Sequence, residues 1–167
     1  AYDKTSFLKK LIALFKYKFS EELSEVFGKI LIKQFKKLRN LIPDSGSGLI
    51  LIPVPLHKKR LKFRGFNQAK LLAEYLAENT ENMCIYDCLE RIVYAKEQAK
   101  LNRAKRLINL RNTIKLRDYF GNDFIKNKTV ILIDDVATTG STLNECSRAL
   151  KAAGVKYICG LTLARAF

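Results

Sequence analysis

The stretch Val130-Ile-Leu-Ile-Asp-Asp-Val-Ala-Thr-Thr-Gly-Ser-Thr142 concentrates residue types that suit a phosphorylated, hydroxyl-bearing ligand. Its four leading apolar residues read as a strand crossing a sheet. Asp134 and Asp135 then fall at the carboxyl end, where open α/β sheets hold their ligands. Ala137 to Ser141 reads as a tight turn with a helix behind it. The turn's N–H groups, the helix start and the hydroxyls of Thr138, Thr139, Ser141 and Thr142 would make a phosphate cradle over Ala137–Thr142. Gly140 would let the backbone approach the anion closely. Two adjacent carboxylates would repel a bare phosphate. They suit a ligand that also presents hydroxyls, as a ribose does, or a Mg²⁺ ion. A plainer alternative stays open: Thr142-Leu-Asn-Glu145 matches a capping box, and the acid pair then merely ends a strand. No Gly-x-x-x-x-Gly-Lys-[Ser/Thr] loop is present, which argues against an ordinary P-loop NTPase.

Positive charge is the second chemical feature. Lys and Arg total 31 against 16 Asp and Glu, a net +15. A surface this basic implies an anionic partner: phosphate-rich ligands, nucleic acid or an acidic membrane face. Simple solvation of the surface is the alternative, but the charge is clustered. Residues 56–70 hold six Lys or Arg and no acid, and residues 96–117 hold eight with one acid, Glu97. Within the first cluster Lys58, Lys59, Arg60 and Arg64 could meet phosphates, arginine being the better bidentate partner. His57, the single histidine, is either a proton donor or plain polar surface. Phe63, Phe66 and Tyr94 lie among the basic residues, where they would either stack single-stranded bases or pack a core.

The elements that must position these residues alternate along the chain. Residues 5–19 place Phe7, Leu8, Leu11, Ile12, Phe15 and Phe19 on one helical face. Ser20 starts a second amphipathic helix over 21–40, and Pro43 opens a loop. Leu49 to Val54 is a continuous apolar run, expected as a buried parallel strand. A basic loop over 54–64 and a helix from Gly65 to Glu78 follow. Residues 83–94 hold one or two short strands, 97–110 a helical or mobile basic segment, and 113–116 another strand. Strands over 129–133 and 157–163 flank a helix over 141–153 that Gly154 caps. The alternation predicts one α/β domain over 1–167: N-terminal helices over 1–42, then a mostly parallel sheet flanked by helices over 49–167.

Cys84, Cys88, Cys146 and Cys159 form no Cys-x-x-Cys pair, so buried reduced thiols are expected rather than zinc or a disulfide framework. No signal peptide or membrane span is legible, and a cytoplasmic protein is the expectation.

The stretch from Val130 to Thr142 closely resembles the phosphoribosyl pyrophosphate motif of type I phosphoribosyltransferases. The resemblance implies that fold, with Asp134 and Asp135 on the ribose or its Mg²⁺ and Ala137–Thr142 on the 5′-phosphate. It also implies pyrophosphate contacts from the turn carrying Pro55, Leu56, His57, Lys58 and Arg64, and from a closing loop carrying Arg103, Lys105 and Arg106. Ile52-Pro-Val-Pro-Leu-His-Lys-Lys-Arg60, Arg64-Gly-Phe-Asn-Gln-Ala69, Leu71-Leu-Ala73, Gln98, Arg106, Asn109 and Leu163-Ala-Arg165 resemble the ComF competence-protein family, as does the opening with Leu11-Ile12 and Lys16-Tyr17. That resemblance implies a role in DNA uptake during natural transformation, single-stranded DNA as a ligand, and competence-machinery partners at the inner face of the membrane. Members commonly begin with a four-cysteine zinc module, to which nothing here corresponds. The chain opens at Ala1 and reads as a fragment, with zinc assignable only to a module outside it. Active transfer of phosphoribose to an unidentified base is the alternative function.

Overall fold

The computed structural model describes residues 7–17, 20–43, 48–94, 113–118 and 122–165. Helix α1 (Phe7–Tyr17) and helix α2 (Glu21–Leu38) precede the first strand, with the Ser20 side chain accepting from the Leu23 N–H at 3.2 Å to cap α2. Strand β1 (Leu49–Pro53), helix α3 (Lys58–Arg64), helix α4 (Gln68–Glu78) and strand β2 (Met83–Ile85) follow. Strands β3 (Leu89–Arg91) and β4 (Ile114–Leu116) come next, then β5 (Thr129–Ala137), helix α5 (Ser141–Ala152) and β6 (Tyr157–Arg165).

The main sheet has the order β2-β1-β5-β6 and is parallel throughout. Alternate residues of each strand feed opposite layers. Leu49, Leu51, Ile131 and Ile133 meet Ile12 and Phe15 of α1, the Phe27, Leu31, Phe35 stripe of α2, and Leu72 and Leu76 of α4. Ile50, Ile52, Val130 and Leu132 meet Cys146 and Leu150 of α5, together with Leu89 and Ile114 of the antiparallel β3–β4 pair. The fold is therefore of the α/β class with both sheet faces covered, and the N-terminal helices form part of one layer. Gly28 marks where α2 and α4 close tightly, since a Cβ there would lie 2.2 Å from the Tyr75 ring.

Several expected boundaries move. The basic segment after β1 is not a loop throughout: residues 58–64 form α3, capped by His57, whose Nδ1 accepts from the Lys59 N–H at 3.2 Å. Gly65 does not begin the next helix. Its φ of 82° ends α3, and Asn67 instead caps α4. β5 runs on past Ile133 to Ala137, because β6 continues beside it as far as Arg165. The expected buried thiols are two, Cys88 and Cys146, while Cys84 is exposed and Cys159 half-buried; all four are free. The expected basic segment over 97–110 lies outside the described residues.

Candidate functional site

A step in the sheet makes the site. β1 pairs with β5 only as far as Pro53 opposite Ile133, whereas β5 and β6 stay paired to Ala137 opposite Arg165. Proline has no N–H to extend a ladder, and Pro53 and Pro55 flank the point where β1 stops. Asp134 and Asp135 thus sit on strand backbone with no neighbour on the β1 side. The chain also reverses its direction of progress across the sheet here, going from β1 outward to β2 and later to β5 on the other side. Crevices at such switch points are where open parallel sheets bind ligands.

A cleft of about 170 Å³ opens at this step. Pro55 and Leu56 from the turn after β1, Arg60 and Arg64 from α3, and Asn67 and Gln68 at the start of α4 form one wall. Lys16, Arg91, Asp134, Asp135 and Thr142 complete it. A larger open depression of about 950 Å³ at the opposite end of the sheet, bordered by Lys36, Arg39, Glu81 and Met83, has one acid and no hydroxyl-rich turn. Its volume is mostly open surface, whereas the acid pair and the hydroxyl-bearing turn border the smaller cleft.

The two acids are held differently. Asp135 is buried and receives Lys16 Nζ at 3.0 Å, a cation delivered by the last turn of α1. Its Oδ1 accepts the Val136 N–H at 2.7 Å. Asp134 accepts the Asp135 N–H at 2.8 Å and has no cation within salt-bridge distance among the described residues. Burial, then the adjacent Asp135 charge, pushes the Asp134 carboxyl up to about 7. One acid is thus paired with a cation of the protein, and the other has none among the described residues.

The turn beyond them is a shallow concavity bordered by Asp134, Ala137, Thr138, Gly140, Ser141 and Thr142. Gly140 has φ 73° with open space where a Cβ would stand, so the backbone angle rather than crowding calls for glycine. Thr139 Oγ1 donates to Ser141 Oγ at 3.0 Å, and the Thr138, Thr139 and Ser141 side chains are exposed. The capping box expected as the plainer alternative does not form. Gly140 is the N-cap of α5, and Thr142 Oγ1 instead accepts from Arg91 Nη2 at 3.2 Å.

The structure brings Asp134, Asp135, Thr142, Pro55, Leu56 and Arg64 to one cleft and continues it into the Ala137–Thr142 turn. His57 and Lys58 flank the cleft without lining it, and Arg103, Lys105 and Arg106 lie outside the described residues. His57 acts as the cap of α3, its ring 5.1 Å from that of Tyr94. Sequence reasoning gave no site role to Lys16, Asn67, Gln68 or Arg91. Gln68 is buried, donates to the Lys16 carbonyl at 3.2 Å and accepts from Arg64 Nη1 at 3.1 Å. It ties the end of α1 to the arginine of the cleft. Asn67 Nδ2 donates to the Val54 carbonyl at 3.1 Å, fixing the turn after β1.

Arg91 has a legible signal in hindsight: it shares a strand face with the fully buried Leu89, an inward arginine at period two. Its Nε is buried without an acceptor among the described residues, and burial pulls its guanidinium below the usual arginine range. Such a group is a poor contributor to the fold and a good one to an anion. Arg91→Met is expected to leave the melting temperature unchanged or raised while weakening ribose 5-phosphate binding about tenfold. Melting curves with and without ribose 5-phosphate check this; equal ligand-induced shifts in both proteins would refute it.

The sheet order, the acid pair near the end of β5 and the turn into α5 define the type I phosphoribosyltransferase fold. The phosphoribosyl transferase domain family matches residues 120–166. A hypoxanthine-guanine phosphoribosyltransferase from Bacillus anthracis superposes with a TM-score of 0.54 at 17% identity, covering 83% of this chain and 68% of that one. Competence protein F of Haemophilus influenzae is 40% identical over 116 residues, 70% of this chain and 50% of the relative. Competence protein ComFC of Bacillus subtilis is 30% identical over 151 residues, 89% of this chain and 55% of the relative. The DNA utilization protein YhgH of Escherichia coli is 27% identical over 159 residues, 91% and 66% respectively. The chain is a ComFC-like protein of the phosphoribosyltransferase superfamily, and it spans about half to two thirds of the length of these relatives. Among the described residues, no helix is long and apolar enough to cross a membrane, and no cluster of His, Cys, Asp and Glu could hold a metal alone.

Proposed function

We propose that the cleft binds phosphoribosyl pyrophosphate and that the protein serves DNA uptake in natural transformation, binding single-stranded DNA on its basic surface. The observation that carries the ligand is the acid pair at the β1–β5 step, continuous with the hydroxyl-lined turn. In this reading Asp134 and Asp135 accept from the ribose hydroxyls, and Ala137–Thr142 holds the 5′-phosphate. Pro55, Leu56, Arg60 and Arg64 face the pyrophosphate. His57, Lys58, Arg103 and Arg106 add positive charge around it. Mg²⁺ fits the donor set, since it takes one or two carboxylates and completes its shell with phosphate oxygens and water. Asp134 would hold it, and the ion would supply charge neutralisation at the departing pyrophosphate. The DNA role rests on the competence-protein relatives and the net +15. It places the protein in the cytoplasm, at the inner face of the membrane beside competence-machinery partners.

One observation favours a second reading, an active transferase. A carboxyl titrating near 7 inside the cleft suits a general base. It would take the proton from an acceptor N–H as that nitrogen bonds to the anomeric carbon and pyrophosphate leaves with the C–O electron pair. Calorimetry with phosphoribosyl pyrophosphate and Mg²⁺, then with single-stranded DNA, tests the first reading. Saturable heat with each is expected, and no heat with the sugar phosphate at millimolar concentration would remove it. Pyrophosphate release across a panel of bases tests the second, which silence on every base would sink.

A further inference from the structure

We infer that the outer face of α3 is a docking strip for single-stranded nucleic acid, and that this strip shares Arg60 and Arg64 with the sugar-phosphate cleft, so that the two ligands compete. The competition rests on the proposed reading of the cleft; the strip itself does not.

Helix α3 is electrostatically unfavourable on its own. Five of its seven residues are Lys58, Lys59, Arg60, Lys62 and Arg64, and none is acidic. Lys58 and Lys62 are like charges one turn apart, as are Arg60 and Arg64, and both spacings are repulsive. Cations in its first turn also oppose the helix dipole. No carboxylate among the described residues lies within salt-bridge distance of Lys58, Arg60, Lys62 or Arg64. A polyanion laid along the helix would remove all of these penalties together.

The helix has two chemically distinct sides. Arg60 and Arg64 line the cleft, while Lys58, Lys59 and Lys62 are exposed. Beside the lysines, after Lys62, stands Phe63, 79% exposed, an unusual position for so large an apolar ring. It meets Tyr17, itself 67% exposed, edge-on at 6.5 Å, and Arg64 lies over that tyrosine. At the other end of the helix, Lys59 lies over Tyr94, which packs beside His57. Aromatic faces thus stand at both ends of a cationic rod about 10 Å long, roughly three stacked-base spacings. Open rings beside lysines match a strand whose bases are unstacked and whose phosphates are spaced along it. A duplex keeps its bases inside and gives Phe63 and Tyr17 nothing to stack on. An acidic peptide supplies the charge without the flat faces.

Phosphates of the strand and of the sugar ligand both draw on Arg60 and Arg64. Each ligand must therefore lower the other's affinity by the same factor.

The test measures binding of a fluorescent oligothymidylate to the full chain by anisotropy, with Lys62→Glu and Phe63→Ala as variants. Both side chains are exposed and outside the cleft, so melting temperature and phosphoribosyl pyrophosphate affinity should stay unchanged. Lys62→Glu should weaken the oligonucleotide about tenfold and flatten its salt dependence. Phe63→Ala should weaken it about tenfold with the salt slope intact, the mark of lost stacking. Saturating phosphoribosyl pyrophosphate should weaken it in every protein. Oligonucleotide binding that both variants leave unchanged overturns the strip. So does Phe63-dependent binding to phosphatidylserine-containing vesicles with no oligonucleotide binding. Weakening by both variants without competition overturns the shared arginines alone. Oligonucleotide binding without any sugar-phosphate binding removes the cleft reading and leaves the strip standing.

Discussion

Replacing Asp134 and Asp135 together with Asn is expected to reduce affinity for phosphoribosyl pyrophosphate with Mg²⁺ by about 10²- to 10⁴-fold. Each carboxylate would lose charge-assisted hydrogen bonds worth roughly 1.5–3 kcal/mol, and 1.4 kcal/mol is about one decade. The fold should survive the change. Asn keeps an oxygen to accept the Asp135 and Val136 N–H groups, and neutralising both side chains removes a like-charge repulsion. Against that, Lys16 loses its partner at 3.0 Å, on a side chain only 28% exposed. These terms oppose one another, so the melting temperature should move little. Inorganic pyrophosphate without Mg²⁺ supplies a control of opposite sign. It has no hydroxyls for the acids to bind, and their charge repels it, so the double variant should bind it at least as well as the wild type does. Calorimetry with both ligands measures the pair. Unchanged affinity for the sugar phosphate would contradict the ribose assignment, and equal losses on both ligands would mean the cleft had collapsed. Single variants should differ, because Asp135→Asn frees the Lys16 ammonium whereas Asp134→Asn leaves the Lys16–Asp135 pair in place.

Local signals of the site were legible, and those made by distant segments were not. The apolar runs at Leu49 and Thr129 announced buried parallel strands, and the fold divides their alternate side chains between the two sheet faces. Gly140 and its hydroxyl neighbours announced a tight turn that leads into a helix. The reach of β5 past Ile133 was hidden, because acids and threonines normally end a strand. What carries it onward is pairing with β6, a partner 28 residues further on in register. α3 was hidden for a related reason. A segment this rich in like charge reads as solvated loop, and its helix depends on caps from His57 and Gly65 as well as on its place beside the cleft. Lys16 and Asp135 are far apart in sequence, and only the packing of Ile12 and Phe15 against the sheet carries that lysine to the acid. Gln68 was legible as a helix residue but not as the tie between α1 and Arg64. In each case the missing information was a tertiary contact that no local window contains.

Asp134 should make ligand binding and stability respond to pH in opposite directions. Its carboxyl is raised from 3.8 to about 7, by burial first and by Asp135 second. Between about pH 4 and 7 the folded protein therefore holds a proton that the unfolded chain has released. By linkage, this group's contribution to stability is present below pH 4 and is lost as pH rises through 7, with a slope of up to about 1.4 kcal/mol per unit. Other groups titrate in the same range, so the measurable quantity is the difference between wild type and Asp134→Asn, which cannot bind that proton. The ligand-free wild type should gain melting temperature relative to Asp134→Asn as pH falls from 8 to 5. Phosphoribosyl pyrophosphate with Mg²⁺ requires the ionised carboxylate to accept from hydroxyls or hold the cation. Its affinity should therefore fall about tenfold per pH unit below 7 in the wild type, and much less steeply in the variant. A difference in melting temperature from Asp134→Asn that stays flat between pH 8 and 5 would mean that the carboxyl is ionised throughout. Lys16 would then be neutralising both acids rather than Asp135 alone, and the division of labour between them would be lost.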